Sequence, residues 1–345
     1  MKLIERIEQL SKIGATENGI SRLTDSIEDI RGKSLVMQWM LEDGLSVSKD
    51  IYGNIRGTLP GYGPPIVTGS HTDTVATAGK YDGALGVLAG IEAARELKGK
   101  LKHPLEVVIF YDEENTMSGS IGYCSKKPEI KAFIELHVEQ GPVLDHQGVD
   151  IGIVEGIVGQ RRCSVKIFGQ ENHAGTTPMN MRDDALVKTS QIITHINEKA
   201  LTYDGLVATV GVLNVYPNAF SVVPGRVDFT LQIRDLDSDR MEKFVEDVSK
   251  EFNFRYEIQH KSEPALCDSW VKDCISKASS KFDLKSISMP SRASHDSQNF
   301  TFCPMGMIFV PSIDGISHSP KESTTDEMCH NGVKVLIETI KNLDK

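Results

Sequence analysis

The sequence predicts an α/β fold: a mostly parallel sheet flanked by helices, with a small α+β sandwich inserted into the chain. Three observations carry this reading. Residues 105–111 (LEVVIFY) form a near-continuous apolar run, as expected of a strand buried on both faces. Short apolar strands alternate with helical patterns through the first part of the chain, the order that builds a parallel sheet. From about residue 159 the texture changes to alternating strands and amphipathic helices.

The elements follow in order. MKLIERIEQL opens an amphipathic helix, and the charges inside its apolar stretch exclude a secretory signal. Residues 24–41 read as a helix carrying Ile27, Ile30, Leu35, Met37, Trp39 and Leu41, stopped by Gly44. Residues 50–54 (DIYGN) are a turn between short strands. Residues 65–70 (PIVTGS) form a strand, residues 83–98 a helix rich in Ala, Leu, Ile and Glu, and residues 133–138 (FIELHV) another strand. In the inserted part, residues 162–168, 207–215 and 227–234 alternate as strands do, while 184–200 and 241–252 look helical. The chain returns to the first domain near residue 263.

The composition narrows the function class. The 345 residues carry 48 acidic and 38 basic side chains, a net charge of -10, which disfavours a nucleic-acid partner. No apolar run approaches the ~18 residues of a membrane span. None of the six cysteines forms a CxxC pair, so reduced thiols in a cytoplasmic protein are the simplest reading.

The candidate site residues lie in polar clusters after the apolar strands, where open α/β sheets build their sites. In Gly69-Ser70-His71-Thr72-Asp73 the imidazole could ligate a metal while Asp73 holds its other nitrogen; a surface turn is the alternative. Asp82, at a helix entry, is either an N-cap or a carboxylate bridging two metals. Asp112-Glu113-Glu114 places three carboxylates after a buried strand, which a cation would compensate; a solvated acidic loop is the alternative. Strand alternation puts Glu135, His137 and Glu139 on one face, as a site or as a hydrogen-bonded structural histidine with its neighbours. His173, His318 and the pair His295-Asp296 sit on polar loops and are functional or inert. Arg234 ends an apolar strand and is a carboxylate clamp or a surface ion pair with Asp235 or Asp237. No GxSxG elbow, P-loop or HExxH pattern is present, which leaves metal-assisted hydrolysis by His, Asp and Glu ligands.

Together the stretches GSHTDTV, KYDGALGVLAG, FYDEEN, ELHVEQGPVL, GIVGQRR, NHAGTTPM, VVPGRVDFTLQIR, SHDSQ and GMIFVPSIDGISHSP resemble the peptidase M20 family. The short spacing from His71 to Asp82 resembles its amidase/carbamoylase branch: N-carbamoyl-L-amino-acid hydrolases, β-ureidopropionases and allantoate amidohydrolases. The resemblance implies a zinc-exopeptidase-like catalytic domain, residues 1–157 and 263–345, and an inserted lid and dimerisation domain, residues 158–262. It implies that His71, Asp82, Glu114, His137 and His318 hold two divalent metal ions, with Asp82 bridging. Zinc leads, and manganese, cobalt or nickel also suit such ligands. It implies Glu113 as general base, Asp73 orienting His71, and Arg234 on the substrate carboxylate. Gln140 and Gln160 would line the pocket, with His295 close by. His173 would reach a partner subunit's site in a homodimer and stabilise the oxyanion.

Departures from the family pattern bear on specificity. Ser221 stands where the family carries a substrate-binding Asn, and Arg292 and Ser294 replace glycines. Asn115 follows the double Glu, and the connection from Glu114 to His137 is shorter than in relatives. The expected activity is hydrolysis of an N-carbamoyl or ureido acid. An aminoacylase or dipeptidase on the same scaffold is the nearer alternative, and a binding protein that has lost catalysis the more distant one.

Overall fold

The computed structural model describes residues 2–345. The chain forms two compact units, Met1–Ile157 with Ala265–Lys345, and Val158–Pro264.

The first unit is built on a nine-stranded sheet. Its four central strands are neighbours in the order Met305–Val310, Ala132–Val138, Ile66–His71 and Leu105–Phe110, and they run parallel. Antiparallel pairs flank them, Ile55–Leu59 with Ser46–Lys49 on one side and Ile151–Ile157 on the other. Every residue of the four central strands is buried, which is why Leu105–Phe110 and Met305–Val310 are almost wholly apolar. Successive side chains enter opposite cores, as the period of two requires. Ile66, Val107, Ile109, Ile134 and Leu136 join one cluster, while Val67, Val108, Phe110, Phe133 and Phe309 join the other.

Helix Ala84–Leu97 packs on the central strands and is buried along nearly its whole length. Gly86 permits that approach, because a Cβ there would lie 2.3 Å from the Leu136 carbonyl oxygen. The helix expected over 24–41 spans Ile27–Glu42, and Ser26 caps it by accepting the Asp29 N–H. The turn expected at 50–54 is organised by Asp50, whose Oδ1 accepts from the amides of Tyr52 and Asn54. Strands Ile151–Ile157, Ser286–Ser291 and Met305–Val310 and helices Ser269–Lys281 and Asp326–Leu343 go beyond the predicted elements.

The second unit is a four-stranded antiparallel sheet in the order Val207–Tyr216, Arg226–Asp235, Gly159–Phe168, Tyr256–Ser262. Helices Ala185–Ala200 and Ser238–Glu251 supply its core together with the alternating inward residues of Gly159–Phe168 and Arg226–Asp235. The last strand, Tyr256–Ser262, is mostly exposed, so it shows no apolar alternation. Among the described residues no helix is long and apolar enough to cross a membrane, and all six cysteines are free.

Candidate metal centre

The parallel strands deliver their side chains to one end of the sheet. His71 is the last residue of its strand, and Asp112-Glu113-Glu114 follow Leu105–Phe110 after Tyr111. His137 lies near the end of Ala132–Val138. Asp82 arrives from the segment before helix Ala84–Leu97, and His318 from the segment after Met305–Val310.

These side chains converge on Asp82. Its Oδ1 lies 3.1 Å from His137 Nε2 and 3.5 Å from His71 Nε2. Its Oδ2 lies 3.4 Å from His318 Nε2, which is 3.6 Å from Glu114 Oε2. Two donor sets share one carboxylate: His71, Asp82 and His137, all buried, and Asp82, Glu114 and His318, where His318 is exposed.

The ring geometry suits metal ligation. The Nδ1 of His71 lies 3.0 Å from the Asp73 carbonyl oxygen, and the Nδ1 of His137 lies 2.9 Å from the Val138 carbonyl oxygen. With Nδ1–H donating to those carbonyls, each ring turns the lone pair of Nε2 into the cluster. The orienting contact on His71 differs from the expected one. The Asp73 carboxylate is 3.9 Å from Nδ1, while the backbone carbonyl of the same residue is the closer acceptor. The carboxylate instead accepts from Thr24 Oγ1 and the Glu114 amide, tying down the acidic segment. Neutral imidazoles and carboxylates at this spacing are a donor set that fits a divalent cation.

Charge tells the same story. Burial pushes Glu113 well above the usual carboxylate range, against the pull of His71, and burial also raises Glu114. Burial would lower His71 and His137, but the surrounding carboxylates outweigh it, leaving His71 well above its ordinary value and His137 above. Its hydrogen bond to Asp82 raises His318. Burial works against ionised Asp82, yet its contacts with His137, His318 and His71 hold it well below the usual range. Raised imidazole pKa values mean that protons compete with metal up to a higher pH, so metal affinity should fall as pH falls. Metal binding is expected to release protons at pH 7, seen as a binding enthalpy that changes with the ionisation enthalpy of the buffer. Buffer-independent enthalpy would contradict this charge assignment.

The neighbouring residues divide by role. Gln140, at a positive φ of 59°, donates Nε2–H to Asp82 Oδ2 at 2.8 Å, and His318 is also left-handed at 50°. Such conformations persist at functional sites when the surroundings hold them. Glu135, expected to share a face with His137 and Glu139, is fully buried and accepts from Ser70 Oγ at 2.7 Å and from the Ser297 amide at 3.2 Å. Glu139 turns to the amides of Val143 and Leu144 instead. His295 is 2% exposed, with Nε2 2.9 Å from Ser291 Oγ and its ring edge-on to His137 at 4.6 Å. Burial, then His137, holds it well below its ordinary value. Glu322, absent from the sequence-based candidates, accepts from the amides of Tyr81 and Asp82. Burial, then Asp82, pushes it up to about 7.

The second unit holds its own predicted residues in two groups. Arg234 and Gln160 are register partners on adjacent strands. With its amide oxygen turned toward the guanidinium, Gln160 accepts from Arg234 Nη2 at 3.1 Å. His173 pairs with Val222 across a short ladder, beside Ser221, whose carbonyl accepts the Ala174 amide. The Nδ1 of His173 accepts from the amides of Gly175 and Thr176, which leaves Nε2–H as an exposed donor.

Comparison with known proteins fits this arrangement. Residues 67–342 match the model of Peptidase family M20/M25/M40. The chain is 36% identical to an N-carbamoyl-L-amino acid amidohydrolase of Geobacillus stearothermophilus over 400 aligned residues, covering 99% of this chain and 98% of the relative. It is 34% identical to an allantoate amidohydrolase of Bacillus subtilis, covering 99% and 97%. The crystal structure of a hydantoinase/carbamoylase-family amidase from Burkholderia multivorans superposes with a TM-score of 0.90 at 30% identity, covering 100% and 98%. The chain therefore belongs to Peptidase family M20/M25/M40, in its amidase/carbamoylase branch, and is a hydrolase of carbon–nitrogen bonds other than peptide bonds.

Proposed function

We propose that the chain hydrolyses an N-carbamoyl amino acid or an allantoate-like ureido acid, releasing ammonia and carbon dioxide. The observation that supports this best is the shared carboxylate of Asp82, with Glu113 beside the cluster at 3.5 Å from His71 Nε2. His71, Asp82 and His137 would hold one divalent ion, and Asp82, Glu114 and His318 a second, with zinc, manganese, cobalt or nickel suited to the ligands. Bound ions would supply the charge that makes water acidic and a carbonyl electrophilic.

The chain's own residues do the rest. Glu113, raised by burial, takes the proton of the attacking water and returns it to the leaving nitrogen. Arg234 binds the substrate carboxylate through its planar fork, aligned by Gln160. Gln140 keeps the Asp82 carboxylate aimed into the site. His173 donates Nε2–H to the developing oxyanion, across subunits in a homodimer. A dimer is favoured by the second unit's edge strand Val207–Tyr216, which exposes Val212, Leu213 and Tyr216, and by the fully exposed Phe220.

The experiment is a panel of N-carbamoyl, ureido and N-acyl amino acids assayed with each metal. Ammonia release from the carbamoyl or ureido members is the expected result. Cleavage of N-acyl members without ammonia would shift the assignment to an aminoacylase, a reading that Ser221 and Arg292 keep in view.

A further inference from the structure

We infer that Glu322 is a positioning residue that sets the second metal-ligand group by fastening the His318 segment to the Asp82 segment. The inference rests on the metal reading above. His318 is half-exposed, with a left-handed backbone, and its side chain meets the cluster only through Asp82, Glu114 and Gln140. Asp82 precedes a helix whose N-cap, Gly83, offers no side-chain bond. Beyond the side-chain contact of Ser317 Oγ with Asp82 Oδ2 at 3.3 Å, a backbone anchor is needed to hold the two segments at the spacing that brings His318 Nε2 within 3.4 Å of Asp82 Oδ2.

Glu322 meets that need. It lies four residues after His318, is 6% exposed, and its Oε1 accepts from the amides of Tyr81 at 2.8 Å and Asp82 at 3.0 Å. Those partners are about 240 residues distant in sequence. The contact sets where the Asp82 backbone stands relative to the His318 segment. Its own segment is secured in turn, with the Glu322 amide bonded to the Ser319 carbonyl and the Ile313 amide to the Ser323 carbonyl. The Asp82 side is shaped for the acid. Gly79 has an ordinary φ, and a Cβ there would lie 2.4 Å from Glu322 Cβ and 2.9 Å from Oε1. Position 79 must be glycine for Glu322 to sit where it does.

The two donor sets should respond differently. Asp82 is common to both sets, but it is held against His137 independently of Glu322, by the adjoining Gly83 amide, 3.1 Å from His137 Nε2, and by Gln140, whereas His318 depends on the loop that Glu322 secures. Metal-free protein is titrated with Zn²⁺ and with Mn²⁺ by calorimetry, alongside thermal melting. Wild type is expected to bind two ions. Glu322→Ala should weaken one of them about 10–100-fold, the range for residues that orient metal ligands, and leave the other within about threefold. Glu322→Gln keeps an acceptor oxygen for both amides and should bind both ions nearly as wild type does. Gly79→Ala should weaken the same ion as Glu322→Ala, and it carries the test with Glu322→Gln if Glu322→Ala does not fold.

Equal affinity at both sites in Glu322→Ala, equal weakening of both ions, or a Gln variant as impaired as Ala would overturn the inference. A Gly79→Ala variant with wild-type affinity would do the same. A wild type that binds no ion would sink the metal reading itself, an outcome distinct from all of these.

Discussion

Replacing Glu113 with Gln should lower kcat by about 10²–10⁴-fold, the usual contribution of a positioned acid–base group, and leave metal binding intact. Glu113 stands 3.5 Å from His71 Nε2 but belongs to neither of the donor sets around Asp82. It is 7% exposed, and burial raises its pKa. An acid whose folded pKa is raised costs stability as pH rises through the unfolded value, because ionisation is then harder in the folded chain. A neutral, isosteric Gln removes that cost. The metal-free variant should therefore melt at or above the wild-type temperature at pH 7. Turnover within about tenfold of wild type would remove Glu113 from the role of base, and loss of metal would make it a ligand.

Asp82→Ala should have the largest effect of any single change. Both oxygens of Asp82 are engaged, one by His71 and His137 and the other by His318, Gln140 and Ser317. Its loss should empty both donor sets. Metal ions supply several kcal/mol of transition-state stabilisation, so activity should fall by at least about 10³-fold at 1.36 kcal/mol per tenfold. His318→Ala is the contrast, because it touches only the set with Glu114. It should cost one ion and retain the one held by His71 and His137. The two variants are compared by metal analysis and by ammonia release. Equal metal content in Asp82→Ala and wild type would end the role of Asp82 as the shared ligand.

Much of this was legible in the chain because burial on both faces writes itself as apolar runs. The strands expected over 105–111 and 133–138 are the fully buried Leu105–Phe110 and Ala132–Val138, and the polar clusters at their ends are the candidate site. The strand Ile151–Ile157 is nearly as buried, but two glycines and Glu155 break its pattern. Ser286–Ser291 is half serine, and Tyr256–Ser262 is an exposed edge, so neither carries a hydrophobic signal. The candidate ligands stood out by residue type and by their resemblance to a family pattern. What the sequence could not show was which atom acts. At Asp73 the carbonyl, not the carboxylate, is the nearer partner of His71. Glu322 carried no signal in the sequence, because its partners are amides about 240 residues away.

The most direct test of the account is an anomalous difference map from crystals of the chain grown with Zn²⁺ or Mn²⁺. The expected result is two peaks flanking the Asp82 carboxylate, one within ligand distance of His71 and His137, the other of Glu114 and His318. A map with no peak at Asp82, or with a single peak that leaves either set of ligands unengaged, would contradict it.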